Sequence, residues 1–372
     1  MKLRLLVAFV VLAFCVPAAA AAPAVDARAY LVMNGATGEV LLARGAHDRL
    51  PIASITKLMT ALVTLERTNP NATVSVDRDA VGVTGSTIGL RAGERLSVRD
   101  LLAGALIQSA NDAAVALGEY VGNGNGSAFV ALMNRKAQAL GLRETRFARP
   151  DGLNDAGNYS SALDVTKLGL TAMHEPMIRR LVGRQTATIA GGRTLHTWND
   201  LLGEFPGVFG VKTGHTSSAG WNQIAAARGN GVTIYATILG SPTRSVRNAD
   251  LEELLGWGMS RYALVPLAPA GKVYGRVPVT YGKEAVPVVA ARPLRRAVRI
   301  GRPLVQRVVL PTRVDLPVQR GDVLGSLRVY ERGRLVGRTP LVAAEDRDAP
   351  SVAERVKWLT GRTFHHIGGW FS

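Results

Sequence analysis

The dipeptide Asn230-Gly231 constrains this chain more than any other pair of residues. Both central positions of a two-residue hairpin turn need positive φ, which asparagine and glycine tolerate, and such a turn sets its flanks antiparallel. The flanks, residues 222–227 and 232–239, carry strand composition, as do residues 208–213 upstream. A three-stranded antiparallel run is therefore predicted. Residues 29–42 read as two short apolar strands around Gly35-Ala36-Thr37-Gly38. Helical periodicity supplies the other layer. From Ser54 to Glu66, the residues Ile55, Leu58, Met59, Leu62 and Val63 share one face, with Ser54 at the start of the helix. A second helix over 98–107 is interrupted at Gln108-Ser109-Ala110-Asn111 and resumes over 112–121, which predicts that Ser109 and Asn111 are exposed at the break. A last helix over 247–262, with Leu251, Leu254, Leu255 and Met259 on one side, closes the first domain. The fold class expected is α/β in the α+β sense, an antiparallel sheet flanked by helices.

Pro266 and Pro269 end that pattern, and residues 271–342 turn Val- and Arg-rich with alternation, the mark of a small all-β domain. With 372 residues, 47% of them hydrophobic, the chain has enough apolar material for two such domains. Its beginning reads as an export signal: Lys2 and Arg4, an apolar run from Leu5 to Val16, then the small residues Ala18, Ala20 and Ala22. The run falls short of the ~20 residues that cross a bilayer, which disfavours a retained transmembrane helix. Phe14 before Cys15 disfavours a lipid anchor there. The expected division is a signal peptide over 1–22, a catalytic domain over 23–265, a β-rich domain over 270–343 and a tail over 344–372.

Cys15 is the only cysteine, and removing the signal removes it, which excludes disulfides, thiol nucleophiles and cysteine-bound zinc. The formal net charge of +17 is concentrated late, since residues 261–372 hold 20 Lys+Arg against 8 Asp+Glu, 20 − 8 = +12. A basic stretch commonly meets nucleic acid, but export points instead to anionic lipid or wall polymer, and a merely solvated basic surface is the plain alternative. In the tail, Trp358, Phe364, Ile367, Trp370 and Phe371 beside Arg355, Lys357 and Arg362 suit a membrane interface, although Gly361, Gly368 and Gly369 would interrupt a long helix.

Ser54-Ile55-Thr56-Lys57 places a hydroxyl and an amine one helical turn apart. Serine becomes nucleophilic once a base takes its proton, and lysine is such a base when burial or a nearby cation, for which Lys212 is the candidate, lowers its pKa. The helix N-terminus adds partial positive charge where an oxyanion would form. One such spacing is expected by chance in a chain this long. What gives it weight is the ordered trio Ser54-x-x-Lys57, Ser109-Ala110-Asn111 and Lys212-Thr213-Gly214. Each member also has a bland reading: Ser54 as an N-cap, Ser109 and Asn111 as a helix-break cap, Lys212 as a surface strand charge, Arg247 as a solvated helix residue.

Longer strings carry a resemblance: Pro51-Ile-Ala-Ser-Ile-Thr-Lys-Leu-Met-Thr60, Ile107-Gln-Ser-Ala-Asn-Asp-Ala113, Asp151-Gly-Leu153, and Gly210-Val-Lys-Thr-Gly-His-Thr216 with Ala219-Gly220. From about Ala29 to Tyr262 the sequence resembles the D-alanyl-D-alanine carboxypeptidase family, the low-molecular-mass penicillin-binding proteins. The resemblance implies a β-lactamase/transpeptidase-like catalytic domain, a smaller β domain and an amphipathic C-terminal membrane anchor. It implies an acyl-enzyme on Ser54, with Lys57 as base and Ser109 as proton relay. Asn111 would hold the substrate amide, Lys212, Thr213, Gly214 and Arg247 would form the substrate site, and His215 would act through its backbone N–H. The implied partners are the D-Ala-D-Ala end of the peptidoglycan stem peptide, β-lactams as covalent inhibitors, and an anionic membrane surface; no cofactor, metal or nucleic acid is implied. The place of action would be the periplasm or wall space, peripheral on the cytoplasmic membrane.

Metal-dependent chemistry is disfavoured, because His47, His174, His196 and His215 are scattered and His365-His366 lie in the tail. A serine β-lactamase would need a carboxylate to activate the deacylating water, and neither Glu144 nor Glu175 has the expected context. An endopeptidase acting on cross-linked wall peptides and a slow-turnover penicillin receptor would use the same groups.

Overall fold

The computed structural model describes residues 5–12, 21–153, 156–356 and 358. Two compact units result, one of Ala20–Ser260 and one joining Met1–Ala19 to Arg261–Ser372. The first strand, β1 (Leu5–Leu12), belongs to the latter.

The larger unit begins with β2 (Ala29–Asn34), β3 (Val40–Arg44), α1 (Lys57–Arg67), β4 (Thr73–Ser75) and β5 (Arg95–Ser97). Helices α2 (Val98–Leu106), α3 (Asn111–Val121), α4 (Gly126–Ala139), α5 (Ala162–His174) and α6 (Pro176–Val182) follow. The short ribbon β6 (Thr186–Ile189) with β7 (Arg193–His196) leads to β8 (Val208–Thr216), β9 (Gly220–Gly229), β10 (Val232–Ser241) and α7 (Arg244–Ser260). The main sheet runs β3-β2-β10-β9-β8, antiparallel throughout. Its β9–β10 turn is the one foreseen, with Asn230 at φ 51° and Gly231 at φ 73°. Residues pointing to opposite faces of β10 identify the two covering layers. Thr237 bonds Thr166 of α5 at 2.6 Å, while Ile234 lies against Gly258 of α7. A sheet covered on both faces needs apolar residues at consecutive positions, which explains the unbroken burial from Ile234 to Leu239.

Three boundaries differ from expectation. Ala53, at φ 50°, starts a 3-10 turn over Ala53–Thr56, and the α-helix opens only at Lys57. Strand β8 continues through Thr216, because Gly214, His215 and Thr216 pair with Asn222, Trp221 and Gly220. Helix α7 stops at Ser260, and Tyr262, expected inside it, starts a strand.

The second unit contains β11 (Tyr262–Ala268), β12 (Val273–Val277), β13 (Val286–Ala290), β14 (Leu294–Arg299), β15 (Leu304–Pro311), β16 (Val323–Glu331) and β17 (Arg334–Ala343). Its six-stranded sheet has the order β1-β15-β16-β17-β13-β12, and β11 pairs with β14. On β15 every second residue from Leu304 is buried, so one face packs on the core with Leu327, Val329 and Leu341 while the other faces outward. Strand β1, part of the run read as an export signal, pairs with β15. Cys15, Ala18, Ala20, Lys357 and residues 359–372, with most of the tail's aromatic groups, lie outside the described residues. Among the described residues no helix is long and apolar enough to cross a membrane.

Candidate active site

The 3-10 turn and the first turn of α1 bring Ser54 and Lys57 together. Lys57 Nζ donates to Ser54 Oγ at 2.7 Å, to Asn111 Oδ1 at 2.6 Å and to the carbonyl oxygen of Asp151 at 2.7 Å. Asn111 and the Asp151 carbonyl can only accept at those contacts. A neutral Lys57 therefore turns its lone pair to the serine hydroxyl. The amine is fully buried, and burial pushes its pKa down from 10.5 to about 7, against the opposing pull of Asp151 and Asp112. Burial thus replaces the Lys212 cation proposed for this purpose. The influence runs the other way: burial first, then the charge of Lys57, drives Lys212 well below its ordinary range.

Ser109 sits at φ 64° between α2 and α3, a left-handed conformation that is costly for a residue with a Cβ. Its Oγ accepts from Lys212 Nζ at 2.8 Å, and Lys212 also donates to the Thr213 carbonyl at 2.9 Å. The helix break does not expose Ser109 and Asn111, as composition had suggested. Both are buried because the 84–90 segment folds over them. Asn111 Nδ2 donates to the Thr84 carbonyl at 2.6 Å, and the Asp112 carboxylate accepts from the backbone N–H groups of Ile88 and Leu90. Lys57 bonds Asn111, whereas Ser109 bonds Lys212.

Strand β8 approaches the serine turn closely at Gly214. A Cβ there would lie 2.6 Å from the Ile52 carbonyl oxygen and 3.0 Å from the Ser54 nitrogen. Gly152, at φ 76°, meets the turn from another side, and a Cβ on it would lie 2.1 Å from the Ala53 oxygen. His215 stacks on Trp221 with ring centroids 3.9 Å apart, and burial, then Arg247, hold its pKa down.

Arg247, on the first turn of α7, is only 1% exposed yet lines the cleft. Its Nη2 donates to Asp200 at 3.2 Å and to Asn248 Oδ1 at 2.6 Å, and its Nε donates to the same Asn248 oxygen at 3.1 Å. Among the described residues nothing bonds its Nη1. Burial lowers its pKa to about 10, and Asp200 opposes the shift. Asp200 also accepts from Arg244 and Asn248.

The cleft holds about 280 Å³ and is lined by Ser54, Ser109, Asn111, Thr213, Gly214, His215 and Arg247, with Gly85, Ser86, Leu153, Trp198 and Trp221. Seven of the nine catalytic and substrate-binding candidates thus line one cavity, and the other two, Lys57 and Lys212, bond to residues of its wall. Glu144, 3.5 Å from His47, and Glu175, which precedes α6, do not line it. Sequence reasoning missed several participants. The Asp151-Gly152-Leu153 string was noticed but given no task, and Arg149, which binds the Asp151 carboxylate at 3.0 Å, was not noticed. Asp200, Asn248, Trp221 and Trp198 were also missed. Trp198 is 43% exposed, its indole N–H bonds the Gln108 carbonyl, and Arg244 lies over its ring. An isolated tryptophan in the polar stretch Thr197-Trp198-Asn199-Asp200 was the available signal.

Known proteins resemble the chain in both of its units. Residues 16–243 match the D-alanyl-D-alanine carboxypeptidase family, and residues 262–349 match the C-terminal domain of penicillin-binding protein 5. The D-alanyl-D-alanine carboxypeptidase DacD of Salmonella typhimurium is 34% identical over 340 residues, covering 87% of each chain. DacF of Bacillus subtilis, of the same description, is 30% identical over 334 residues and 86% of each chain. Among solved structures, penicillin binding protein 5 from Haemophilus influenzae superposes with a TM-score of 0.65 at 28% identity, covering 89% of this chain and all of that one. The Streptomyces K15 DD-transpeptidase gives 0.61 at 31% identity, covering 65% of this chain and all of that one. The chain belongs to the D-alanyl-D-alanine carboxypeptidase family, and it joins that family's peptidase domain to a penicillin-binding protein 5 type C-terminal domain.

Proposed function

We propose that this serine-type D-Ala-D-Ala carboxypeptidase removes the terminal D-alanine of peptidoglycan peptides through an acyl-enzyme on Ser54, and that β-lactams acylate the same oxygen. Neutral Lys57 takes the Ser54 proton as Oγ bonds the carbonyl carbon of the penultimate D-alanine. The backbone N–H groups of Ser54 and His215 hold the oxyanion, and the close seating of Gly214 against the serine turn supports that pairing. As the C–N bond breaks, Ser109, its hydroxyl bonded to Lys212, relays the proton from Lys57 to the departing nitrogen. Water then attacks the ester with Lys57 again the base, and Ser54 leaves with its proton. Asn111 holds the peptide amide, while Lys212, Thr213 and the free Nη1 of Arg247 receive the terminal carboxylate.

The observation that carries this reading is the Lys57–Ser54 contact of 2.7 Å made by an amine whose pKa burial brings to about 7. We also propose that residues 1–22 are an export signal, 23–265 the peptidase domain, 270–343 the β domain and 344–372 a tail. The enzyme would then work outside the cytoplasm, peripherally bound to the membrane through its basic C-terminal region. Mass spectrometry of the protein with a penicillin should give one covalent adduct, lost in Ser54→Ala, and the wild type should release D-alanine from a pentapeptide. An unmodified wild-type protein would refute the assignment. An adduct without D-alanine release would make the protein a penicillin receptor.

A further inference from the structure

The sheet register places Arg307 of β15 opposite Arg328 of β16, and Arg328 opposite Arg338 of β17. Their neighbours Val308, Leu327, Val329, Gly337 and Thr339 are buried, so all three arginines stand on the outward face. Adjacent strands are about 4.8 Å apart, which makes a straight cationic row about 10 Å long. Like charges directly opposite one another are destabilising. This unit pairs its arginines elsewhere, as in Arg302 with Glu331, Arg276 with Glu284, and Arg347 with Glu284 and Glu345. Among the described residues Arg328 and Arg338 have no such relief: nothing bonds either, and Nε of Arg328 is buried without a partner.

The rows on either side are mostly apolar. Val305 lies opposite Tyr330, and Val309 opposite Ser326, which in turn faces Pro340. Beyond them Val323 is 68% and Leu335 49% exposed. A soluble polyanion would use the arginines and leave the valines and tyrosine wet. An anionic bilayer surface uses both, because phosphates take guanidinium groups while aliphatic and tyrosine side chains settle at the headgroup boundary.

We propose that the outer face of β15–β16–β17 docks on anionic phospholipid headgroups through Arg328 and Arg338. The inference deepens the membrane reading above and rests on it, adding a contact separate from the tail. Each guanidinium near an anionic surface strengthens binding about fivefold. The test is co-sedimentation of the full chain with vesicles of phosphatidylglycerol and phosphatidylcholine. Arg328→Gln with Arg338→Gln should bind about 25-fold more weakly, whereas Arg292→Gln with Arg295→Gln, an equal charge change at exposed residues, should cost less than threefold. Thermal unfolding checks folding, and relief of the opposed charges should leave the ladder variant at least as stable as wild type. Equal losses in both pairs, or wild-type binding by the ladder variant, would overturn the docking face and leave the tail reading intact. A wild type that ignores the vesicles would refute the membrane reading itself. Capture of soluble polyphosphate by the wild type, lost in the ladder variant, without vesicle binding would overturn the lipid assignment.

Discussion

Replacing Lys57 by methionine should change how stability depends on pH as well as abolishing catalysis. The amine is fully buried with a pKa near 7, against 10.5 when solvated. The unfolded chain therefore binds a proton more readily than the native one. Between about pH 7 and 10.5 the unfolded state carries a proton the native state lacks, so stability rises with pH across that window and is lowest below it. The difference, 10.5 − 7 = 3.5 units, corresponds to about 5 kcal/mol from this one residue, with a slope approaching 1.4 kcal/mol per pH unit near pH 8 to 9. Lys212 contributes with the same sign. In Lys57→Met the Lys57 share disappears, and the Lys212 share shrinks because the neighbouring charge is gone. Urea unfolding at intervals from pH 7 to 10 should show a much flatter profile for the variant. In the wild type, acylation by a penicillin should rise with pH through an inflection near 7, and in the variant it should fall by at least about 100-fold. An unchanged stability slope, or an inflection near 10, would refute burial as what makes Lys57 a base.

Two further outcomes follow from the site. Asp200→Asn weakens the hold on Arg247 without touching Ser54, so KM for a D-Ala-D-Ala peptide should rise about tenfold with kcat falling less than threefold, and unchanged steady-state constants would remove Asp200 from carboxylate binding. Gly152→Ala forces a Cβ to 2.1 Å from the Ala53 oxygen at a positive φ, which should destabilise the fold by about 2 to 4 kcal/mol and slow acylation more than tenfold; thermal unfolding and adduct formation read both, and a stable, fast variant would discount the close approach.

What the sequence disclosed follows from range. The Asn230-Gly231 hairpin and the Ser54–Lys57 pair are local, set by turn chemistry and by one helical turn, and both were legible. The Ser109-Ala110-Asn111 break was legible as a break but not as a buried one. Burial depends on the 84–90 segment closing over it through Thr84, Ile88 and Leu90. Asp151 was hidden because it contributes a main-chain carbonyl to an amine 94 positions away, and a carbonyl has no residue type to recognise. Asp200 and Trp198 come from an aperiodic connection whose meeting with α7 only the folded chain supplies.

Lys57 and Lys212 share one buried site in which the charge of the first suppresses protonation of the second. A ligand carboxylate settling beside Lys212 acts as the missing counter-ion and raises that amine's affinity for protons. Above the resting pKa of Lys212, capture of the peptide terminus then draws hydrogen ion from the buffer, and departure of D-alanine gives it back. Occupancy and protonation become one linked variable. The apparent affinity for carboxylate-terminated ligands declines as pH climbs above the resting pKa of Lys212, although nothing on the ligand titrates there.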